Sequence, residues 1–129
     1  TIHVDVIGIG ASVFDLARQE RMRVNAVDFR EGVSKRDRSR TMTFANLRAY
    51  CYWSFREALD PDRGDGLALP PDPELLADLT APRWKHLASG VQIESKEDII
   101  KRLGRSPDLG DATVMAALAP RAVWRAESF

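Results

Sequence analysis

The chain has 129 residues, enough for one domain with a core and too few for two. Its 44% hydrophobic and 29% charged residues are ordinary for a globular protein, and 19 basic against 19 acidic residues give no net charge that would advertise a nucleic-acid partner. No apolar run is long enough to span a bilayer, no signal-peptide core precedes a cleavage site, and the single Cys51 excludes an internal disulfide framework and a multi-cysteine zinc site, which fits a reducing compartment such as the cytoplasm.

Ile2 to Ile9 reads as a strand, rich in β-branched residues and closed by Gly8 and Gly10. It begins almost at the first residue, so an upstream part is expected to have been removed, or the gene truncated. Ser12 can cap a short helix to about Glu20, with Val13, Leu16 and Ala17 as its apolar face. Val24 to Phe29 reads as a second strand. Strand, glycine turn, helix, strand predicts a parallel pair with a right-handed crossover, and the class is α/β.

Arg30 to Arg40 carries five basic residues (Arg30, Lys35, Arg36, Arg38, Arg40) against Glu31 and Asp37, and its plainest reading is a solvated loop. The strongest helix signal follows over Thr43 to Leu59, where Phe44, Leu47, Cys51, Phe55 and Ala58 form one stripe that Tyr50, Tyr52 and Trp53 widen, so much of the helix is expected to be buried. Asp60-Pro61 and the glycines Gly64 and Gly66 break it. Pro70 to Pro73 opens a short helix to about Leu79, and Trp84 to Leu87 and Val91 to Glu94 are short strands turned at Ser89-Gly90. Ser95 caps a helix that carries Ile99, Ile100 and Leu103 inward and stops at Gly104. Ser106-Pro107-Asp108 starts the last helix, which runs to about Leu118; Arg121 to Phe129 is an uninformative tail.

Two carboxylates stand where packing alone would not put them. Asp5 lies within Val4-Asp5-Val6-Ile7, a strand expected to be central and buried, where an unpaired carboxylate is costly. Asp111 shares the inward stripe of the last helix with Met115 and Leu118, and Asp108 lies one turn earlier. Either could be structural: Asp5 capping a neighbouring backbone, Asp111 pairing with Arg102 or Arg105. Converging carboxylates suit Mg²⁺ or Mn²⁺ rather than zinc, and two such ions can support phosphodiester cleavage.

Other signals are weaker. Gly8-Ile9-Gly10 after a strand suggests a dinucleotide turn, but the third glycine is missing at Val13 and only Asp28 follows the second strand as an acid. There is no phosphate-binding GxxxxGK[ST] loop. His3 and His86 are isolated, Cys51 reads as a small core residue, and Ser12 and Ser95 are better explained as caps.

The block Gly90 to Ile99 followed by Lys101 to Ala112, with Leu109-Gly110-Asp111, resembles the closing motif of phage terminase large subunits. Val4 to Ala11 resembles that family's second catalytic strand, and Phe44-Ala45-Asn46-Leu47-Arg48-Ala49, Trp53 and Leu69-Pro70 match in order and spacing, so the resemblance covers about Val4 to Ala117. It implies the C-terminal portion of a ribonuclease-H-like fold, a mixed sheet flanked by helices, over residues 1–119, with a tail over 120–129. It also implies a DNA endonuclease with a two-metal Mg²⁺ or Mn²⁺ site in which Asp5 and Asp111 are the catalytic carboxylates and Asp5, Asp111 and the supporting Asp108 hold the metal. Lys96, Arg102 and Arg105 would contact double-stranded DNA, unless they are simply exposed helix charge.

The family's earlier strand, with its first carboxylate, and its ATPase motor have no counterpart here; Gly110 replaces a small helix-forming residue and Ser12 a glycine. The expectations are therefore impaired cleavage and self-association through an exposed sheet edge. In its family context such a domain works with the ATPase motor, the small terminase subunit and the portal, in the bacterial host cytoplasm. The competing readings are a non-catalytic prophage remnant that keeps only the fold, and a small-ligand α/β domain using the Gly8 to Ser12 turn.

Overall fold

The computed structural model describes residues 1–118; the expected boundary at 119 and the tail 120–129 lie outside them. Four strands and five helices follow in chain order: β1 (Ile2–Asp5), α1 (Gly10–Gln19), β2 (Val24–Val27), α2 (Leu47–Ala58), α3 (Pro73–Thr80), β3 (Trp84–Leu87), β4 (Gly90–Ile93), α4 (Lys96–Leu103) and α5 (Asp108–Ala116). β1 and β2 pair in parallel from Ile2 opposite Val24 to Asp5 opposite Val27, the predicted βαβ unit. β3 and β4 form an antiparallel hairpin from Trp84 opposite Ile93 to Leu87 opposite Gly90. Both pairings of a mixed α/β arrangement are thus present, as two two-stranded sheets. A single parallel bridge, Phe44 with Val91, ties the hairpin to the chain entering α2.

β1 stops four residues short of its expected end, and Asp5 is its last residue, half-buried rather than central and buried. The side chain itself explains the turn: Asp5 Oδ1 accepts the Ile7 N–H at 3.0 Å, the short loop that aspartate favours. α1 then starts close by, since a Cβ on Gly10 would stand 1.6 Å from the Asp5 carbonyl oxygen. Only glycine fits there. Ser12 is not the cap; Ile9 occupies that position without a side-chain hydrogen bond, and α1 buries no residue. Val13 and Leu16, expected to face the core, are instead exposed, because no other element among the described residues lies over that face.

α2 is the centre of the structure. Asn46 caps it through the Ala49 N–H, and Leu47 N–H and Arg48 N–H donate to the Glu31 and Phe29 carbonyls, fixing its start against the end of β2. Its buried residues are Arg48, Ala49, Cys51, Tyr52, Trp53 and Phe55, the broad face expected from the stripe and the aromatic residues beside it. Cys51, Tyr52 and Phe55 pack with Val27, Phe29 and Val114, while Ala49 and Trp53 pack with Phe44 and Val91. Burial pushes the Cys51 thiol up to about 12, consistent with an inert core residue. The basic loop is tethered rather than free: buried Asp37 accepts the Met42 N–H at 2.8 Å, and Arg38 pairs with Asp65.

The later helices begin at the expected signals with one exchange. Ser95 caps α4 through the Asp98 N–H, and α4 ends at left-handed Gly104 (φ 73°). Ile99 is fully buried, but Ile100 and Leu103 are 39% and 44% exposed, so the inward face is narrower than predicted. α5 is not capped by Ser106, whose hydroxyl instead meets Asp108 Oδ1 at 2.7 Å. Buried Asp78 of α3 does that work from outside the helix: its Oδ2 accepts the Leu109 and Gly110 N–H groups at 3.1 and 3.2 Å, while Oδ1 pairs with Arg105. A Cβ on Gly110 would lie 2.9 Å from the Asp78 Cβ, so glycine lets α3 and α5 approach.

Candidate functional site: a cavity between the two carboxylates

A cavity of about 590 Å³ opens between the end of β1, the start of α2, the hairpin and the start of α4. Asp5 and Asp111, from opposite ends of the described chain, both line it, and Lys96 joins them. Arg48, Arg30 and Trp84 contribute further wall. Arg102 and Arg105 are not on that wall. Arg102 is committed to Glu94 (2.6 Å) and the Ala81 carbonyl (2.7 Å), and Arg105 to Asp78.

Asp111 is 7% exposed and its partner is neither Arg102 nor Arg105. Arg48 Nη1 donates to Asp111 Oδ1 at 2.8 Å, and the Tyr52 hydroxyl donates to the same oxygen at 2.5 Å. These donors sit one turn apart on α2, which a separation of 63 residues from Asp111 hides in the sequence. Burial raises the Tyr52 phenol well above its ordinary range, so it remains a donor. On the other side Lys96 Nζ is 4.0 Å from Asp111 Oδ2 and 2.5 Å from Asp108 Oδ1. Asp108 is itself exposed, and its hydrogen bonds to Lys96 and then Ser106 hold its carboxyl below the usual range.

The chemistry of the two carboxylates is that of hard-cation ligands. Asp5 and Asp111 each keep one oxygen, Oδ2, without a hydrogen bond among the described residues, and two carboxylates with water are a sufficient set for Mg²⁺ or Mn²⁺. No group of three His, Cys, Asp or Glu side chains able to hold a metal occurs among the described residues, so the two-ion site expected from the sequence lacks a third carboxylate here. The glycine turn after β1 offers the dinucleotide reading little support, since Asp28 is held by Arg30 through two oxygens at 2.9 and 3.0 Å. That pairing brings the Asp28 carboxyl down to about 2.

The helices and the parallel and antiparallel strand pairs make a mixed α/β domain, and its fold is shared with solved structures. The structure is similar to the nuclease domain of the large terminase subunit of bacterial virus Sf6, at 21% identity and a TM-score of 0.70, covering 92% of this chain and 64% of that one. A lysine-to-alanine mutant of that domain, solved with manganese and beta-thujaplicinol, matches at 20% identity with the same coverage and TM-score. This chain therefore spans just under two thirds of the length of those domains. No protein-family model matches the sequence, and no curated protein does. Among the described residues no helix is long and apolar enough to cross a membrane.

Proposed function

We propose that the chain is the C-terminal part of the nuclease domain of a viral DNA-packaging terminase, a divalent-metal-dependent endonuclease acting on double-stranded DNA. One observation carries the reading: Asp5 and Asp111 line a single cavity in a fold like that of a terminase nuclease domain solved with manganese. Asp5 and Asp111 bind the cation through their free oxygens, and either Mg²⁺ or Mn²⁺ suits an all-oxygen set. A bound divalent ion would supply charge stabilisation at the phosphate under attack. Asp108 engages the Lys96 ammonium and so limits its pull on Asp111. Lys96, on the cavity wall, is the best placed of the three suggested cations for a DNA phosphate; Arg102 and Arg105 add longer-range attraction.

Two carboxylates, one of them already paired with an arginine, make a weak cation site, and the chain alone is a weak nuclease or none. In a packaging complex it would act beside an ATPase motor, a small terminase subunit and a portal, in the cytoplasm of an infected bacterium. The pairing of Arg48 with Asp111 also favours a second reading, a remnant that keeps the fold with Asp111 as a structural ion pair.

Incubation of the full chain with supercoiled plasmid and Mn²⁺ separates the two. The nuclease reading predicts slow nicking that a chelator stops and that Asp5→Ala and Asp111→Asn each abolish. Cutting that survives both substitutions would contradict the assignment of the site. A folded protein without metal-dependent cutting would favour the remnant.

A further inference from the structure

The guanidinium of Arg48 is closely engaged. It is 6% exposed and lies over the Phe29 and Tyr52 rings, 5.6 and 4.8 Å from their centroids. Nε donates to the Glu94 carbonyl at 3.3 Å and Nη1 to Asp111 Oδ1 at 2.8 Å, while Nη2 is buried with no partner among the described residues. A buried arginine that leaves a donor unsatisfied is a costly way merely to fill space. What it achieves is geometric. With Tyr52 it engages Oδ1 through two hydrogen bonds, so Oδ2 is the oxygen left without one among the described residues, at 4.0 Å from Lys96.

We infer that Arg48, assisted by Tyr52, is a positioning residue that fixes the Asp111 carboxylate for cation binding. The inference rests on the reading of Asp111 as a ligand. Two effects oppose each other at this position. The guanidinium charge repels an incoming cation, but Lys96 Nζ already stands 4.0 Å from Oδ2, and without Arg48 the carboxylate is free to close on it and lose the oxygen the cation needs. Orientation wins, because the Arg48 charge is already spent on Oδ1 and the Lys96 charge lies on the side the cation uses. Lysine cannot replace Arg48, since one ammonium cannot span the Glu94 carbonyl and the Asp111 carboxylate while lying between two rings.

The test is Mn²⁺ binding to the full chain, followed by loss of the free-Mn²⁺ paramagnetic resonance signal, at a temperature where circular dichroism shows each variant folded. Asp111→Asn should remove binding. Arg48→Gln and Arg48→Lys should each weaken it roughly 10–100-fold, the usual effect of removing a partner that orients a ligand. Tyr52→Phe, the gentler change, should weaken it roughly three- to tenfold, the worth of one hydrogen bond. Unchanged binding in the Arg48 and Tyr52 variants, with only a lower melting temperature, would overturn the inference and leave Arg48 a packing residue. Tighter binding in Arg48→Gln would overturn it too, by showing that repulsion dominates. No binding by the unsubstituted chain, or binding indifferent to Asp111→Asn, would instead sink the reading of the site on which the inference rests.

Discussion

The unit β1–α1–β2 and the assembly around α2 each supply one carboxylate to the cavity, and they are built to different standards. α2 buries six of its residues, and Val91 and Val114 packed with it are essentially sealed from solvent, as is Ile99 of α4. α1 buries none; Val13 and Leu16 are 52% and 60% exposed, and Ile9 before it is 85% exposed. Asp111 is therefore held by a solid framework, while Asp5 stands at the end of β1, whose one strand neighbour among the described residues is β2. A cavity lined this way has one fixed carboxylate and one whose position depends on a thinly packed element.

The contrast can be broken most forcefully from its solid side. Ile99→Ala should cost about 2–5 kcal/mol, because a fully buried side chain leaves a cavity that close neighbours cannot fill. Denaturant unfolding would measure it. Gly110→Ala should cost about 1–3 kcal/mol, since the new methyl meets Asp78 and must push α5 from α3, carrying Asp111 with it.

A subtler effect is the pH dependence of the clamp between α4 and β4. The Arg102 guanidinium, with help from the Arg83 backbone, lowers the Glu94 carboxyl from its ordinary 4.5 to about 2. A carboxyl depressed on folding stabilises fully above its unfolded value, and that stabilisation fades as pH falls from about 4.5 toward 2. Arg102→Gln should flatten the acid-side loss of stability across that window while changing little of its slope near neutrality. Smallest of all is the change expected on the thin side. Leu16→Glu should alter stability by no more than about 0.5 kcal/mol. It should, however, reduce any concentration-dependent association seen in sedimentation, because it places a charge in the exposed apolar face beside the free edge.

What could be read in the sequence follows the same division. Local signals were legible: the parallel βαβ unit, the hairpin turning at Ser89-Gly90, the Ser95 cap and the Gly104 stop all depend on residues within a few positions of one another. Asp5 and Asp111 stood out because a carboxylate interrupts an apolar pattern, and both line the same cavity. Contacts between distant segments were not legible. Nothing near Asp111 announces Arg48 or Tyr52, and nothing near Ser106 announces that Asp78 caps the last helix instead. The apolar faces assigned to α1 and to Ile100 and Leu103 failed for a related reason. Periodicity shows that a helix has an apolar side, and only packing shows whether another element covers it.

The central claim is that one cation is held jointly by carboxylates from both regions, and Mn²⁺ affinity across a double-mutant cycle of Asp5→Ala and Asp111→Asn tests it most directly. Shared ligation predicts that either substitution alone removes most of the affinity and that the double variant is little worse than the singles. If Asp5→Ala binds Mn²⁺ as the unsubstituted chain does, or the two losses simply add, the carboxylates do not hold the same ion and the account is wrong.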